Sequence, residues 1–144
     1  MSEQGEPRHD ACSSGSAIIG SSTDPRVVVH RLVDEVINGG RLEVLDELYS
    51  AALAPTARRW VEPFLVSFSD VEIRVVETVV EQDRIAARFS CSGTHTGNWL
   101  GHPPTGRRFT GISEVYFFQL SEGRIARAWG LEDTLARLRH LGLQ

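Results

Sequence analysis

Apolar residues recur at helical spacing in the first part of the chain and alternate in the rest. Asp24 followed by Pro25 marks a helix start, an N-cap carboxylate before a first-turn proline. Val28, Leu32, Val33, Val36 and Ile37 then fall on one helical stripe, and Asn38-Gly39-Gly40 ends it, because these residues tolerate the left-handed backbone. Leu42, Leu45 and Leu48 predict a second, short helix over residues 42–49. A third is predicted over 55–64, carrying Trp60 and Phe64. After Ser69-Asp70 the period drops to two. Residues 71–80 carry Ile73, Val75 and Val79 on one parity, and residues 84–95 carry Ile85, Ala87, Phe89 and Cys91. Gln82-Asp83 is a tight turn between them. A Gly/Pro loop over 97–107 precedes a long strand over 109–120, and Glu122-Gly123 turns into a strand over 124–131. Leu135, Leu138 and Leu141 predict a closing helix within 133–143. Helices first and hairpins afterwards imply an α+β domain built on one antiparallel sheet.

A length of 144 residues suits one domain. Residues 1–23 are rich in Ser, Gly and charge, so a disordered tail is expected before a folded domain over 24–143. The net charge of −4 argues against a nucleic-acid partner. No apolar run approaches the ~20 residues that span a bilayer, and the N-terminus lacks a secretory pattern, so a cytoplasmic location is expected. Cys12 and Cys91 form neither a disulfide framework nor a metal-type spacing, and Cys91 reads as a small core residue. The chain has no lysine, which excludes Schiff-base chemistry and a P-loop lysine. No Gly-rich loop follows a strand. No metal, flavin or nicotinamide cofactor is therefore expected.

Asp133 is the first candidate for chemistry. It shares strand parity with Trp129 and Leu131, and a carboxylate beside such neighbours is partly desolvated and becomes a better base near neutrality. It also precedes Thr134 and a helical stretch, so an N-cap role is open as well, and spacing alone favours it. His95 and His102 flank the Gly/Pro loop, as acid–base groups or as loop histidines bonded to backbone. Gln119 can donate a hydrogen bond to a carbonyl or enolate oxygen if it faces a pocket, and is ordinary strand surface if it does not. Asn38 is a binding candidate or simply a helix C-cap. Trp60, Phe64, Phe89, Trp99, Tyr116, Phe117, Phe118 and Trp129 are core residues, or the walls of a site for a flat apolar ligand.

Gly93-Thr94-His95-Thr96-Gly97, Gly101-His102-Pro103-Pro104-Thr105-Gly106-Arg107, and Glu122-Gly123-Arg124-Ile125 leading to Trp129, Asp133 and a Leu-Gly-Leu ending together resemble one family. It is the polyketide cyclase family typified by nogalonic acid methyl ester cyclase (SnoaL-like), in the nuclear-transport-factor-2-like superfamily. The resemblance covers residues 24–143. It implies a cone-shaped α+β barrel, a curved antiparallel sheet closed by three helices around a pocket. It also implies a homodimer or homotetramer built on the sheet, and the strands leave an outer face carrying Tyr116, Ala126 and Ala128 for such an association. The implied reaction is ring closure of a polyketide by intramolecular aldol condensation without metal or cofactor. Asp133 matches the acid–base position, with His95 as a further catalytic candidate. The assisting histidine of the family is replaced by Gln119, which polarises a carbonyl but moves no proton, and Phe117 stands where the cyclases carry a more polar residue. These departures keep hydroxylases and other ring-forming or epoxide-opening relatives in view, and the superfamily also contains non-catalytic ligand-binding modules. The implied substrate-binding set is Asn38, Trp60, Phe64, Phe89, Trp99, His102, Phe117 and Trp129.

Overall fold

The computed structural model describes residues 23–144. The tail expected over 1–23 lies, all but Thr23, outside the described residues. Four strands, β1 (Glu72–Glu81), β2 (Arg84–Thr94), β3 (Arg108–Ser121) and β4 (Arg124–Glu132), pair antiparallel in chain order. The β3–β4 turn has Glu122 and Gly123 both at positive φ, 52° and 76°, the backbone that a two-residue hairpin turn requires. Ladder irregularities lie between Val75 and Glu77, between Cys91 and Gly93, and between Gln119 and Leu120. Such bulges bend and twist a sheet, and here they curl it into a trough.

The first bulge also corrects an expectation. Val76 is the extra residue, so the parity of β1 reverses after it. Ile73 is buried, whereas Val79, expected on the same face, is 68% exposed.

The helices line the trough. Helix α1 (Pro25–Arg31) is capped by Asp24, whose carboxylate accepts from the Arg26 N–H at 3.0 Å. It runs straight into a π-helical turn, Leu32–Ile37, where the Asn38 N–H reaches back to the Val33 carbonyl at 2.9 Å. The second predicted helix is a 3₁₀ turn, Leu42–Val44, followed by α2 (Leu45–Leu48). The third is longer than expected, α3 (Ala54–Ser67). Helix α4 (Thr134–His140) closes the end of the sheet and packs on β3.

Val28, Val29, Val36, Leu45 and Leu48 of the helices meet Ile85, Ala87, Phe89, Cys91, Ile112 and Ile125 of the sheet in one core. Burying each of the larger of these side chains contributes about 1.5–3 kcal/mol. Among the described residues no helix is long and apolar enough to cross a membrane.

Candidate active site

The curl of the sheet and the helices above it enclose a cavity of about 350 Å³. Its walls are Leu32, Val33 and Ile37 from the π-helical turn, Tyr49 after α2, Trp60, Val61 and Phe64 of α3, and Ile73, Phe89, Tyr116 and Phe118 of the sheet. Trp60 and Trp129 line it while remaining largely exposed, so they stand at its mouth. The volume suits a small organic ligand, and the walls are mostly apolar, as such sites are.

The exception is one end, where two carboxylates face inward. Glu114 on β3 and Glu132 on β4 are directly opposed across the ladder, and both line the cavity. Arg137 of α4 reaches in behind them. Its Nη1 lies 2.7 Å from Glu132 Oε1, and its Nη2 lies 3.6 Å from Glu114 Oε2. Arg137 is fully buried, and Glu114 is 5% exposed. The short contact to Glu132 is off-axis, and none of the three guanidinium nitrogens makes an in-line hydrogen bond with a described residue. Four rings surround the guanidinium instead. Its carbon lies 4.8 Å from the centroid of Phe109, 5.4 Å from Phe64, and 5.6 Å from both Phe68 and Trp99. Desolvated contacts of this kind are worth about 2 kcal/mol.

Burial pushes the Glu114 carboxyl up to about 7, the like charge of Glu132 adds to this, and Arg137 opposes it. Arg137 is held firmly protonated. Burial works against its charge, and the two carboxylates outweigh that. Burial also raises the phenols of Tyr49 and Tyr116, so both remain O–H donors at neutral pH. Tyr116 stacks on Phe118 at 5.9 Å and lies over Gly130, where a Cβ would stand only 2.2 Å from its ring. Glycine at position 130 is what lets the ring lie flat against β4.

The candidates named from sequence divide by strand parity. Phe64, Phe89 and Trp60 line the cavity, and Trp129 reaches its mouth from the outer parity of β4. Asp133 does not. It is exposed and caps α4, accepting from the Ala136 N–H at 3.0 Å. Gln119 and Phe117 alternate with Tyr116 and Phe118 and lie on the outer face, where Gln119 pairs with Arg127 and Phe117 with Trp129. The Trp129 and Leu131 neighbours expected to desolvate Asp133 are themselves 59% and 65% exposed. Conversely, Tyr116 and Ala128, expected on an outer association face, line the cavity.

His95 is buried away from the cavity lining. The Thr105 N–H donates to its Nδ1 at 3.1 Å, which leaves its proton on Nε2. His102 closes a backbone bridge with Trp99, and Trp99 packs on Arg137 rather than on the cavity. The Asn38 amide pairs with the backbone of Ile73 at both ends, 2.9 Å and 2.8 Å, tying the first helix to the sheet edge.

Glu114, Glu132 and Arg137 were not anticipated. A signal existed for two of them. Glu114 interrupts the apolar parity Ile112, Tyr116, Phe118, and Arg137 stands one helical turn before the buried Leu141.

Fold and cavity together define a small α+β barrel around a pocket that holds two opposed carboxylates. Its sequence matches the model of the SnoaL-like polyketide cyclase family over residues 27–141, and the chain belongs to that family. Two aklanonic acid methyl ester cyclases are similar to it. DauD of Streptomyces sp. (strain C5) is 30% identical over 117 residues, 80% of this chain and 70% of that one. DnrD of Streptomyces peucetius is 31% identical over 110 residues, 75% and 72% of the two chains. Among solved structures, TsrD from Streptomyces laurentii superposes with a TM-score of 0.75 at 25% identity, over 83% of this chain and 96% of that one.

Proposed function

We propose that this polyketide cyclase closes a ring by intramolecular aldol condensation, with Glu114 and Glu132 as its acid–base pair in place of Asp133. The observation that carries the reading is the opposed, inward-facing carboxylate pair with Glu114 pushed up to about 7. Two carboxylates that repel each other in a desolvated site share one proton near neutrality, so one is a base while the other is an acid. The ionised member takes a proton from a methylene flanked by carbonyls. The resulting carbanion carbon attacks a second carbonyl of the same chain. The protonated member delivers its proton to the oxygen that becomes the alkoxide. One proton is taken and one given, so the product is an isomer of the substrate, and transfer within the pair restores the starting state.

The phenols of Tyr49 and Tyr116 belong to residues that line the same cavity, and in this reading they donate to the enolate. Enclosure contributes as well, since good intramolecular geometry lowers a barrier by about 7–11 kcal/mol. No step calls on a cofactor, because the enolate charge is already spread over neighbouring carbonyls.

Among the described residues the charged side chains lining the cavity are Glu114 and Glu132, and Arg137 sits behind them. A substrate carboxylate would meet like charge there, so the reading favours a neutral polyketide ester. The two curated relatives are methyl ester cyclases by name, which accords with this. A cap-forming Asp133 taken alone would favour a binding module, and the buried pair is what weighs for catalysis. The outer sheet face, with Phe117, Trp129 and Leu131 exposed, is where the expected homo-oligomer would be built. Turnover of aklanonic acid methyl ester or a related aromatic polyketide ester, followed by chromatography for a product of unchanged mass, tests the activity. Recovery of unaltered ester across a panel of such substrates would refute it.

A further inference from the structure

We propose that Arg137, boxed by four aromatic rings, divides the labour between the two cavity carboxylates, keeping Glu132 as the ionised base and leaving the proton on Glu114. The inference rests on the reading of that pair as acid and base, and adds a positioning residue that does not line the cavity.

The geometry is asymmetric. The guanidinium approaches Glu132 to 2.7 Å and Glu114 only to 3.6 Å. Attraction falls as the inverse of distance, so the nearer carboxylate is held more strongly by about one third. Burial acts in the same direction. The side chain of Glu114 is 5% exposed and that of Glu132 is 28% exposed, so ionisation is more costly at Glu114. Both effects place the negative charge on Glu132.

The aromatic box gives the asymmetry its permanence. Arginine on a flexible stem would otherwise swing to whichever carboxylate was ionised, and the pair would exchange roles freely. Here the guanidinium is enclosed by Phe109, Phe64, Phe68 and Trp99 at 4.8–5.6 Å, and its nitrogens are not committed to other in-line acceptors among the described residues. The groups facing Glu114 from the surrounding elements are Cys91 on β2, Glu132 on β4, Arg137 on α4 and Tyr116 on its own strand, with Tyr49 across the cavity. Arg137 is the only cation in that set. Removing it takes away the positive charge that, among the described residues, opposes proton loading of Glu114.

The test is a carbon-detected NMR titration of the full chain labelled at the glutamate carboxyls, with folding checked by circular dichroism. In the wild type one glutamate should titrate near 7 and vanish in Glu114→Gln. In Arg137→Met the Glu114 midpoint should rise by about 1–3 pH units, the usual worth of a nearby opposite charge. Arg137→Lys, which keeps the charge, should restore most of it. A folded Arg137→Met chain with an unmoved Glu114 midpoint would overturn the proposal and leave Arg137 a packing residue. If Arg137→Met does not fold, the wild-type titration decides, with the two resonances assigned by Glu114→Gln and Glu132→Gln. A wild type in which the group titrating near 7 vanishes in Glu132→Gln rather than in Glu114→Gln overturns the proposal. The titration does not use turnover. Should it move as stated while Glu114→Gln and Glu132→Gln keep full activity, the role of Arg137 stands and the cyclase assignment of the pair falls.

Discussion

The two faces of strands β3 and β4 are made by alternate residues of the same short segments, and they differ in every property that matters to chemistry. Inward stand Glu114, Tyr116, Phe118 and Glu132, lining the cavity with a buried arginine behind the two carboxylates. Outward stand Phe117, Gln119, Trp129, Leu131 and Asp133, mostly exposed. Glu132 and Asp133 are one residue apart, yet one lines a cavity and the other caps a helix. The difference shows that a carboxylate's surroundings are decided by which side of a pleat it lies on. The side-chain period of two makes an error of one residue complete.

The largest effect that would sharpen this contrast is on turnover. Glu114→Gln keeps the shape of the acid and cannot supply its proton, so kcat should fall by about 10²–10⁴-fold. Gln119→Ala on the outer face should leave kcat within about threefold, since Gln119 does not line the cavity that holds the two carboxylates. Loss of activity in Gln119→Ala with retention in Glu114→Gln would exchange the two faces.

The next effect is on stability. The folded-state value for Glu114 is about 7, above its ordinary 4.5, so between those values the native state holds the extra proton. Stability from this group is therefore fully present below about 4.5 and is lost as pH rises through about 7. The loss amounts to roughly 3 kcal/mol at about 1.4 kcal/mol per pH unit. Urea unfolding at pH 5 and pH 8 should show the difference in the wild type and a flattened profile in Glu114→Gln. Equal slopes in the two proteins would place Glu114 in water.

Smaller effects follow from single contacts. Gly130→Ala drives a methyl group into the Tyr116 ring and should cost about 1–3 kcal/mol while altering the Tyr116 fluorescence and ring resonances. An unperturbed Tyr116 in that variant would contradict the flat-lying ring. Asp133→Ala removes a helix cap and should cost about 0.5–2 kcal/mol by urea unfolding, with kcat nearly unchanged.

Much of the fold could be read from hydrophobic spacing. The strand order, the tight turns, the inward set Ile85, Ala87, Phe89 and Cys91, and the Asp24 cap all follow from local pattern and are present. The site was less legible, for physical reasons. On β3 and β4 both faces carry aromatics, so hydrophobic alternation does not say which parity faces in. Tyr116 and Phe118 are answered by Phe117 and Trp129. The bulge at Val76 reverses parity without any glycine or proline to mark it. Arg137 looks like surface in a helix otherwise stepped by leucines, and its burial depends on four rings drawn from α3, the segment after it, the Gly/Pro loop and β3. Such a box exists only once the chain is folded. Strand parity with Trp129 and Leu131, and then the family resemblance, directed attention to Asp133, and its local role as a cap was visible in the sequence beside it.

The contrast between faces comes to its sharpest point at two neighbouring carboxylates, compared as Glu132→Gln and Asp133→Asn in single-turnover assays on the same neutral polyketide ester. Both substitutions preserve size, and asparagine still caps the helix. Glu132→Gln should slow ring closure by about 10²–10⁴-fold, the worth of a general base, while Asp133→Asn stays within about threefold of the wild type. The reverse order, with Asp133→Asn inactive and Glu132→Gln active, would place the base on the outer parity and contradict the assignment of the cavity pair.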